Sequence, residues 1–457
     1  VESGSAVLAS QAESIQDLVN YSGGDIDITD SAANLISAGD HVLNVTGVDT
    51  VTVNAAGTGS TVTAQDGAIL AGFTADVEFD VVDDVSDLKA IMGQNDAASY
   101  LTEANSITVD NGSGDRVVGA QDGAILASFT ADVDFDVVAT ADEIAAELTG
   151  SIAPGTGVNS LDEAADVVVS GGDVDAEDAA AIMQISGYNT GGSQFEITDD
   201  VASVISAGTG VIENGGVFKV EVTGVADVSE GIVLNAFTSN VEFDVSGTAD
   251  DIFAEVNNLG DADDVFVVSG DVSISEAQSI QSLGGYNASG STYEIEDSAA
   301  NITASTDTLM QNGTIKVDVT DTDVNASIGN TLAAFTADIE FDVSDTAANI
   351  AAQIAAGNGT NGTGYGADSL EDAGSVVVES GSAVLASQAE SIQDLANYSG
   401  GDIDITDSAA NLISAGDHVL NVTGVDHITT TEATVGASDG ALLGAFTADV
   451  HFDVADT

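Results

Sequence analysis

The sequence predicts an α/β fold, a right-handed βα solenoid in which parallel strands and short helices stack unit on unit. Three observations predict it. Segments of strict period two alternate with segments of helical spacing, helix-start signals directly follow strands, and the same blocks return in a fixed order. Strand then helix, at about 25 residues per unit, requires parallel strands joined by right-handed crossovers. A repeating version stacks each unit on the last. The alternative is a row of tandem β-sandwich domains of about 100 residues. Helix caps and alanine-rich i, i+3 spacing count against it.

The strands come first. Phe-Thr-x-x-(Val/Ile)-x-Phe-Asp-Val starts at Phe73, Phe129, Phe237, Phe335 and Phe446. In Val77–Val81 and Val241–Val245 apolar residues hold one face and carboxylates the other, the mark of a half-buried strand. Phe79, Phe135, Phe243 and Phe341 fall on the apolar side, where core packing is expected. Helix starts follow. Thr140 precedes Glu143 by three residues, a capping box, and Thr248 and Thr346 lead into Ile252 and Ile350. A longer helical pattern, Ala12, Ile15, Leu18, recurs as Ala277, Ile280, Leu283 and as Ala389, Ile392, Leu395. It belongs to a block Ile-x-x-(Ile/Leu)-x-x-Tyr that ends at Tyr21, Tyr188, Tyr286 and Tyr398. Gly23-Gly24 and Gly284-Gly285 follow it as stop signals. A third block runs from a strand into Asn34, Asn301 and Asn411, and a fourth reads Val-x-Val-Thr at Val220 and Val317. Pro154 and the glycine-rich stretch 357–366 are expected in loops between units.

The four blocks give a superperiod of roughly 100 to 110 residues. The chain reads as one continuous array, 1–457, with superperiods 1–137, 166–264, 265–374 and an incomplete 375–457. The first carries a partial duplication, since 64–77 and 120–133 are near copies. Residues 1–49 recur at 378–426 with one change, Val19 against Ala396. Val1–Ser3 therefore match residues inside a strand, and the phase predicts a window of a longer polypeptide.

Composition bounds the surface. The chain holds 77 acidic and 4 basic residues, a formal charge of −73, yet 44% of it is apolar. That apolar content argues for a packed core carrying its charge outside, against disorder. Such a surface repels phosphate and anionic lipid and attracts cations. Lys89, Arg116, Lys219 and Lys316 are too few for a phosphate track, so no nucleic acid partner is expected. Cysteine is absent, which excludes thiolate metal sites and disulfides. No apolar run reaches membrane-span length, so no membrane insertion is expected.

The candidate chemistry lies in the strand carboxylates. Parallel in-register stacking would place Asp27, Glu78, Asp80, Glu221, Glu242, Asp244, Asp318, Glu340 and Asp342 on one outer sheet face. Like charges opposite one another are destabilising there, and a cation with many flexible oxygen ligands, calcium, would relieve them. A solvated acidic face is the plainer reading. Asp30, Asp297, Asp345 and Asp407 stand at strand ends before Ser or Thr, positions suited to helix capping and dipole compensation. His41, His418, His427 and His451 have no convergent partners in sequence, and internal copies replace two of them. With no nucleophile elbow and no special carboxylate pair, the chain is not expected to be an enzyme. Asn-x-Ser/Thr triplets, such as Asn20, Asn44, Asn301, Asn312 and Asn361, are explained by composition.

The recurring Phe-Thr-Ala-Asp-Val-Glu-Phe-Asp-Val and the run Val343–Ile350 resemble repeats of very large secreted acidic proteins of the bacterial cell surface. These are described as S-layer, adhesin or hemolysin-type calcium-binding proteins. The resemblance implies an extracellular or cell-surface location, calcium as a cofactor, and a structural role in a surface layer, sheath or filament. The alternative role is the stalk of a large calcium-dependent adhesin. Expected partners are copies of the chain or continuing repeats. The calcium nonapeptide array of hemolysin-type repeats is missing here.

Overall fold

The computed structural model describes residues 6–54, 59–92, 101–128, 131–149, 161–357, 370–381 and 383–455. Pro154, the stretch 358–366, Val1–Ser3, Phe129 and Asn361 lie outside them. Gly357, expected in a loop, closes the helix Ala347–Gly357. The fold is mixed α/β, with several small parallel sheets, many short helices and no closed barrel. Every described strand pairing is parallel, which antiparallel sandwiches would not give. Among the described residues no helix is long and apolar enough to cross a membrane.

Two compact units divide the chain, 1–224 with 236–243, and 225–235 with 244–457. In the first, Ala6–Val7, Ile26–Asp30, Val48–Val53 and Val77–Glu78 form one sheet in that order. A second runs Thr61–Val62, Asp80–Asp83, Ser106–Val109, Val133–Asp134, and Asp136–Ala139 pairs on either side with Val117–Val118 and Asp166–Val169. In the second unit, Asp271–Val272, Tyr293–Asp297, Thr314–Val319 and Ile339–Glu340 follow each other. Val343–Thr346, Val376–Glu379 and Tyr398–Gly401 form another sheet, and Ile403–Asp407, Val425–Thr430 and Val450–His451 a third.

The Phe-Asp-Val block explains why the sheets stay small. At Phe79, Phe135 and Phe341 its strand breaks next to the phenylalanine and the two halves pair with different neighbours, whereas Val241–Thr248 runs through Phe243 unbroken. Val77–Glu78 takes Val51–Thr52 upstream, whereas Asp80–Asp83 takes Ser106–Val109 downstream. Val133–Asp134 and Asp136–Ala139 divide in the same way. The expected alternation holds: Ile26 and Ile28, and Tyr293 and Ile295, are buried while their neighbours are not. Phe79, Phe135, Phe243 and Phe341 are all buried, as expected. Burying side chains of this size stabilises by roughly 1.5–3 kcal/mol each.

The helix-start signals hold too. Thr140 N–H donates to Glu143 Oε2 at 3.1 Å and Glu143 N–H returns to Thr140 Oγ1 at 3.4 Å. Thr248 Oγ1 accepts from Asp251 N–H at 3.2 Å, and Thr346 Oγ1 from Asn349 N–H at 3.3 Å. Helices lying on the Phe-Asp-Val strands carry glycine at mid-length, a residue that weakens an isolated helix. At Gly67 a Cβ would stand 2.9 Å from Val81 Cγ2, and at Gly329 2.7 Å from Val343 Cγ2. Glycine is there because helix and sheet approach too closely for a methyl group.

Gly329→Ala is therefore expected to destabilise, although alanine is the better helix former. Overpacking against Val343 outweighs the propensity gain for a net loss of roughly 1–2 kcal/mol. Urea unfolding checks this, and a stabilised variant would refute the close-packing account.

Candidate functional site

Two sets of carboxylates recur, at strand ends and on the strand face. The strand-end set is the more ordered. Asp30 is buried, and its Oδ2 accepts from the N–H of Ala9, the first residue of the helix Ala9–Gln16, at 3.0 Å. Its Oδ1 accepts from Ser31 N–H at 2.8 Å and Asn34 Nδ2 at 2.7 Å. The helix so capped is not the one Asp30 precedes but the one before it, 21 residues upstream. The helix Ala32–Ala38 is capped instead by Ser31 Oγ.

This bond repeats. Asp83 reaches Ala64 N–H at 2.9 Å, Asp199 reaches Ala176 at 3.0 Å, and Asp297 reaches Ile274 at 3.0 Å. Asp321 reaches Ala299 at 2.6 Å, Asp345 reaches Ala326 at 3.0 Å, and Asp407 reaches Ala386 at 3.1 Å. Glu432 does the same for Ala409 at 3.0 Å. Asp30, Asp297, Asp345 and Asp407 thus cap helices as expected, but across units. A carboxylate on helix N–H groups also meets the positive end of the helix dipole.

A second link explains the threonine of Phe-Thr. Asp40 accepts from Thr74 N–H at 2.9 Å and Thr74 Oγ1 at 3.0 Å, and Asp417 accepts from Thr447 at 2.9 and 3.1 Å. Asp307 accepts from Thr336 N–H at 2.9 Å, and Glu213 from Thr238 N–H at 2.8 Å. The sequence singled out neither Asp40, Asp307 nor Asp417. Their only signal is that each opens a short helix about 30 residues before a Phe-Thr block.

None of the nine strand-face carboxylates is buried. The structure brings some together and disperses others. Glu296, Asp318 and Glu340 lie in register on three neighbouring strands. Lys316 Nζ sits between two of them, 2.9 Å from Asp318 and 2.8 Å from Glu340. Lys219 Nζ likewise lies 2.9 Å from Glu242 and 3.3 Å from Glu221. Hydrogen bonds that it donates to Glu340 and Asp318 hold the Lys316 ammonium well above its ordinary range, and those to Glu242 and Glu221 raise Lys219. The others meet neutral donors. Thr50 Oγ1 donates to Asp27 at 2.7 Å, Thr52 Oγ1 to Glu78 at 3.4 Å, and Ser106 Oγ to Asp80 at 2.7 Å. Asp264 N–H donates to Asp244 at 3.1 Å and Ser375 Oγ to Asp342 at 2.8 Å.

Register shows why the lysines stand where they do. A β-bulge follows Ile26, Phe195, Tyr293 and Ile403, and the residue it re-aims beside the next acid is Thr50, Lys219, Lys316 or His427. Two residues further on stand Thr52, Glu221, Asp318 and Thr429. Lysine appears in the copies where that second position is acidic, and Thr or His where it is Thr. The remaining basic residues are paired as well. Arg116 lies 3.2 Å from Asp136 and contacts Asp134, and Lys89 pairs with Asp122.

Among the described residues, one group of three carboxylates is close enough to share a cation, Asp83, Asp84 and Asp87. Part of this group already accepts hydrogen bonds, Asp83 from the N–H groups of Ala64 and Asp84. Asp84 Oδ1 accepts from Asp87 N–H at 2.9 Å and Ser86 Oγ at 2.7 Å, and these bonds hold its carboxyl below the ordinary range. The charges of Asp84 and Asp83 push Asp87 up. Grooves of about 380 and 520 Å³ open beside Asp297 and Asp199. Asp297 and Asp199 are themselves bonded to helix N–H groups. His41, His418 and His427 are exposed, each beside a single carboxylate at 4.0, 3.5 and 3.0 Å.

Asp297 gives the pH test. Burial pushes its carboxyl up, but the amide of Asn301 and the N–H groups of Ile274 and Ser298 outweigh this and hold it below the ordinary range. A depressed folded-state pKa adds stability above the unfolded value of about 3.9, lost as pH falls through the folded value. Asp297→Ala is expected to cost roughly 2 kcal/mol at pH 7. The gap to the parent chain should shrink as pH falls below about 4. A gap independent of pH would remove the charge from the explanation.

No protein-family model matches the chain, and no curated protein matches it in sequence.

Proposed function

We propose that the chain is an extracellular structural repeat protein without a catalytic role, part of a surface layer, sheath or filament. Its units stack as a right-handed βα solenoid, and its neighbours are copies of itself or further repeats. One observation carries this reading: the same carboxylate-to-helix bond joins one unit to the next at eight helix starts. A bond that depends only on the adjacent unit can be repeated without limit, which is the physical basis of a rod. Catalysis needs acid, base or nucleophile gathered at one place, whereas the reactive side chains here are distributed as copies. The resemblance to secreted acidic repeats supports the cell-surface location.

Calcium is proposed as counter-ion for strand-face carboxylates that have no lysine beside them, Glu78 and Asp342 among them. Thermal unfolding in calcium and in chelator, at equal ionic strength, tests this. Calcium is expected to raise the melting temperature, and an unchanged value would end the calcium proposal.

Electron microscopy tests assembly. A lattice or long fibre is expected on cells that carry the protein, and isolated projections would identify an adhesin stalk instead. With a formal charge of −73, association of purified protein should rise steeply from about 0.01 M to 0.15 M salt, as the Debye length falls from about 30 to 8 Å. Light scattering that is flat across this range would contradict charge-limited assembly.

A further inference from the structure

Two helices of the chain consist of the same eight residues. Ala64–Ala71 and Ala120–Ala127 both read Ala-Gln-Asp-Gly-Ala-Ile-Leu-Ala. They also pack alike, since a Cβ on Gly67 would meet Val81 and Phe79, and one on Gly123 would meet Val137 and Phe135. What differs is the first turn. In the earlier helix Thr63 Oγ1 accepts from Asp66 N–H at 3.2 Å, and Asp83 Oδ2 accepts from Ala64 N–H at 2.9 Å. The later helix has Gly119 in place of Thr63 and Ala139 in place of Asp83. Gly119 supplies no side-chain cap, and the methyl group of Ala139 can accept no bond.

Ion pairs stand where these caps are missing. Lys89, on the helix Val85–Met92, pairs with Asp122 in the first turn of the later helix. Arg116 occupies the position of Ser60, contacts Asp134 and lies 3.2 Å from Asp136 on the strand that follows. Two of the four basic residues in the chain therefore serve this one helix and its flanking strands. All four partners are partly exposed, so added salt screens both pairs. The Thr63 cap is a neutral bond that screening does not reach.

We propose that the segment 116–139 is a joint sensitive to ionic strength, whose helix opens ahead of its twin when salt screens the Lys89 and Arg116 pairs. Two absent caps shift the local opening equilibrium by roughly 25-fold, about five-fold each. Unscreened ion pairs at such sites return up to about five-fold each. The two helices are then held almost equally at low salt and unequally at high salt. The device is a property of this segment, whatever the whole molecule assembles into.

Hydrogen–deuterium exchange of the whole chain, read by mass spectrometry, tests this between about 0.01 and 1 M sodium chloride, where the Debye length falls from about 30 to 3 Å. Peptides that retain Gly72 or Ser128 tell the two helices apart by mass. Identical residues share their intrinsic exchange rates, and comparison within one molecule cancels the general effect of salt on so acidic a chain. Amides 124–127 are expected to exchange within a few-fold of amides 68–71 at low salt, and roughly 25-fold faster at high salt. Lys89→Met should open part of that gap at low salt and leave it unchanged at high salt. Gly119→Thr with Ala139→Asp should close it at every salt concentration. The threonine fits, because a Cβ on Gly119 meets nothing within 4 Å and its φ of −76° and ψ of 165° match the −70° and 159° of Thr63. If that variant does not fold, Thr63→Gly with Asp83→Ala must bring amides 68–71 to the rate of 124–127 at high salt. Equal exchange of the parent helices at high salt, a gap indifferent to salt, or a gap indifferent to the caps would overturn the proposal.

Discussion

A helix of two turns leaves nearly as many backbone N–H groups unpaired at its start as it pairs within itself. The helices here are of that length, so what meets their first turns governs the array. Asp30, Asp199, Asp297, Asp345 and Asp407 supply an acceptor from the strand one unit downstream. One carboxylate serves two purposes. One oxygen satisfies the upstream helix, and the other orders the chain at the start of its own helix. Strand position and helix position are therefore set together, and each unit is completed by the next.

The same arrangement accounts for part of the extreme acidity. Carboxylates bonded to helix starts, or to Phe-Thr threonines, are structural acceptors that a lysine could not replace. The strand-face carboxylates face repulsion instead, and the chain places its few cations against it. Lys219 and Lys316 occupy one position of the repeat, beside acids on their own and the following strand. Copies with Thr52 or Thr429 in place of the second acid dispense with lysine. This sets the strand face apart from a uniform field of ligands.

Much of the chemistry was legible in the sequence as positions, but not as partners. Period-two alternation marked the strands, and Thr140, Thr248 and Thr346 marked helix starts, because both signals are local. Asp30 and its counterparts were legible as caps. That they cap the preceding helix was not, since the two residues lie 19 to 23 positions apart and meet only through packing. Asp40 and Thr74 are further apart still. The nine face carboxylates were legible as a group on exposed strand positions. Their separation into lysine-paired and neutrally paired sets depended on what the neighbouring strand brings opposite, at Lys219 and Lys316 through a β-bulge that no spacing in one strand announces.

The sequence alone determined the repeat, the alternation of strand and helix, the apolar core positions and the acidic exterior. Each rests on side-chain chemistry read against a fixed backbone period. Tertiary structure decided the division of the Phe-Asp-Val strand between two neighbours, the glycine demanded at Gly67 and Gly329 by close helix–sheet approach, and the direction of each capping bond. Burial belongs to the neighbour as much as to the residue, and a neighbour is a property of the fold.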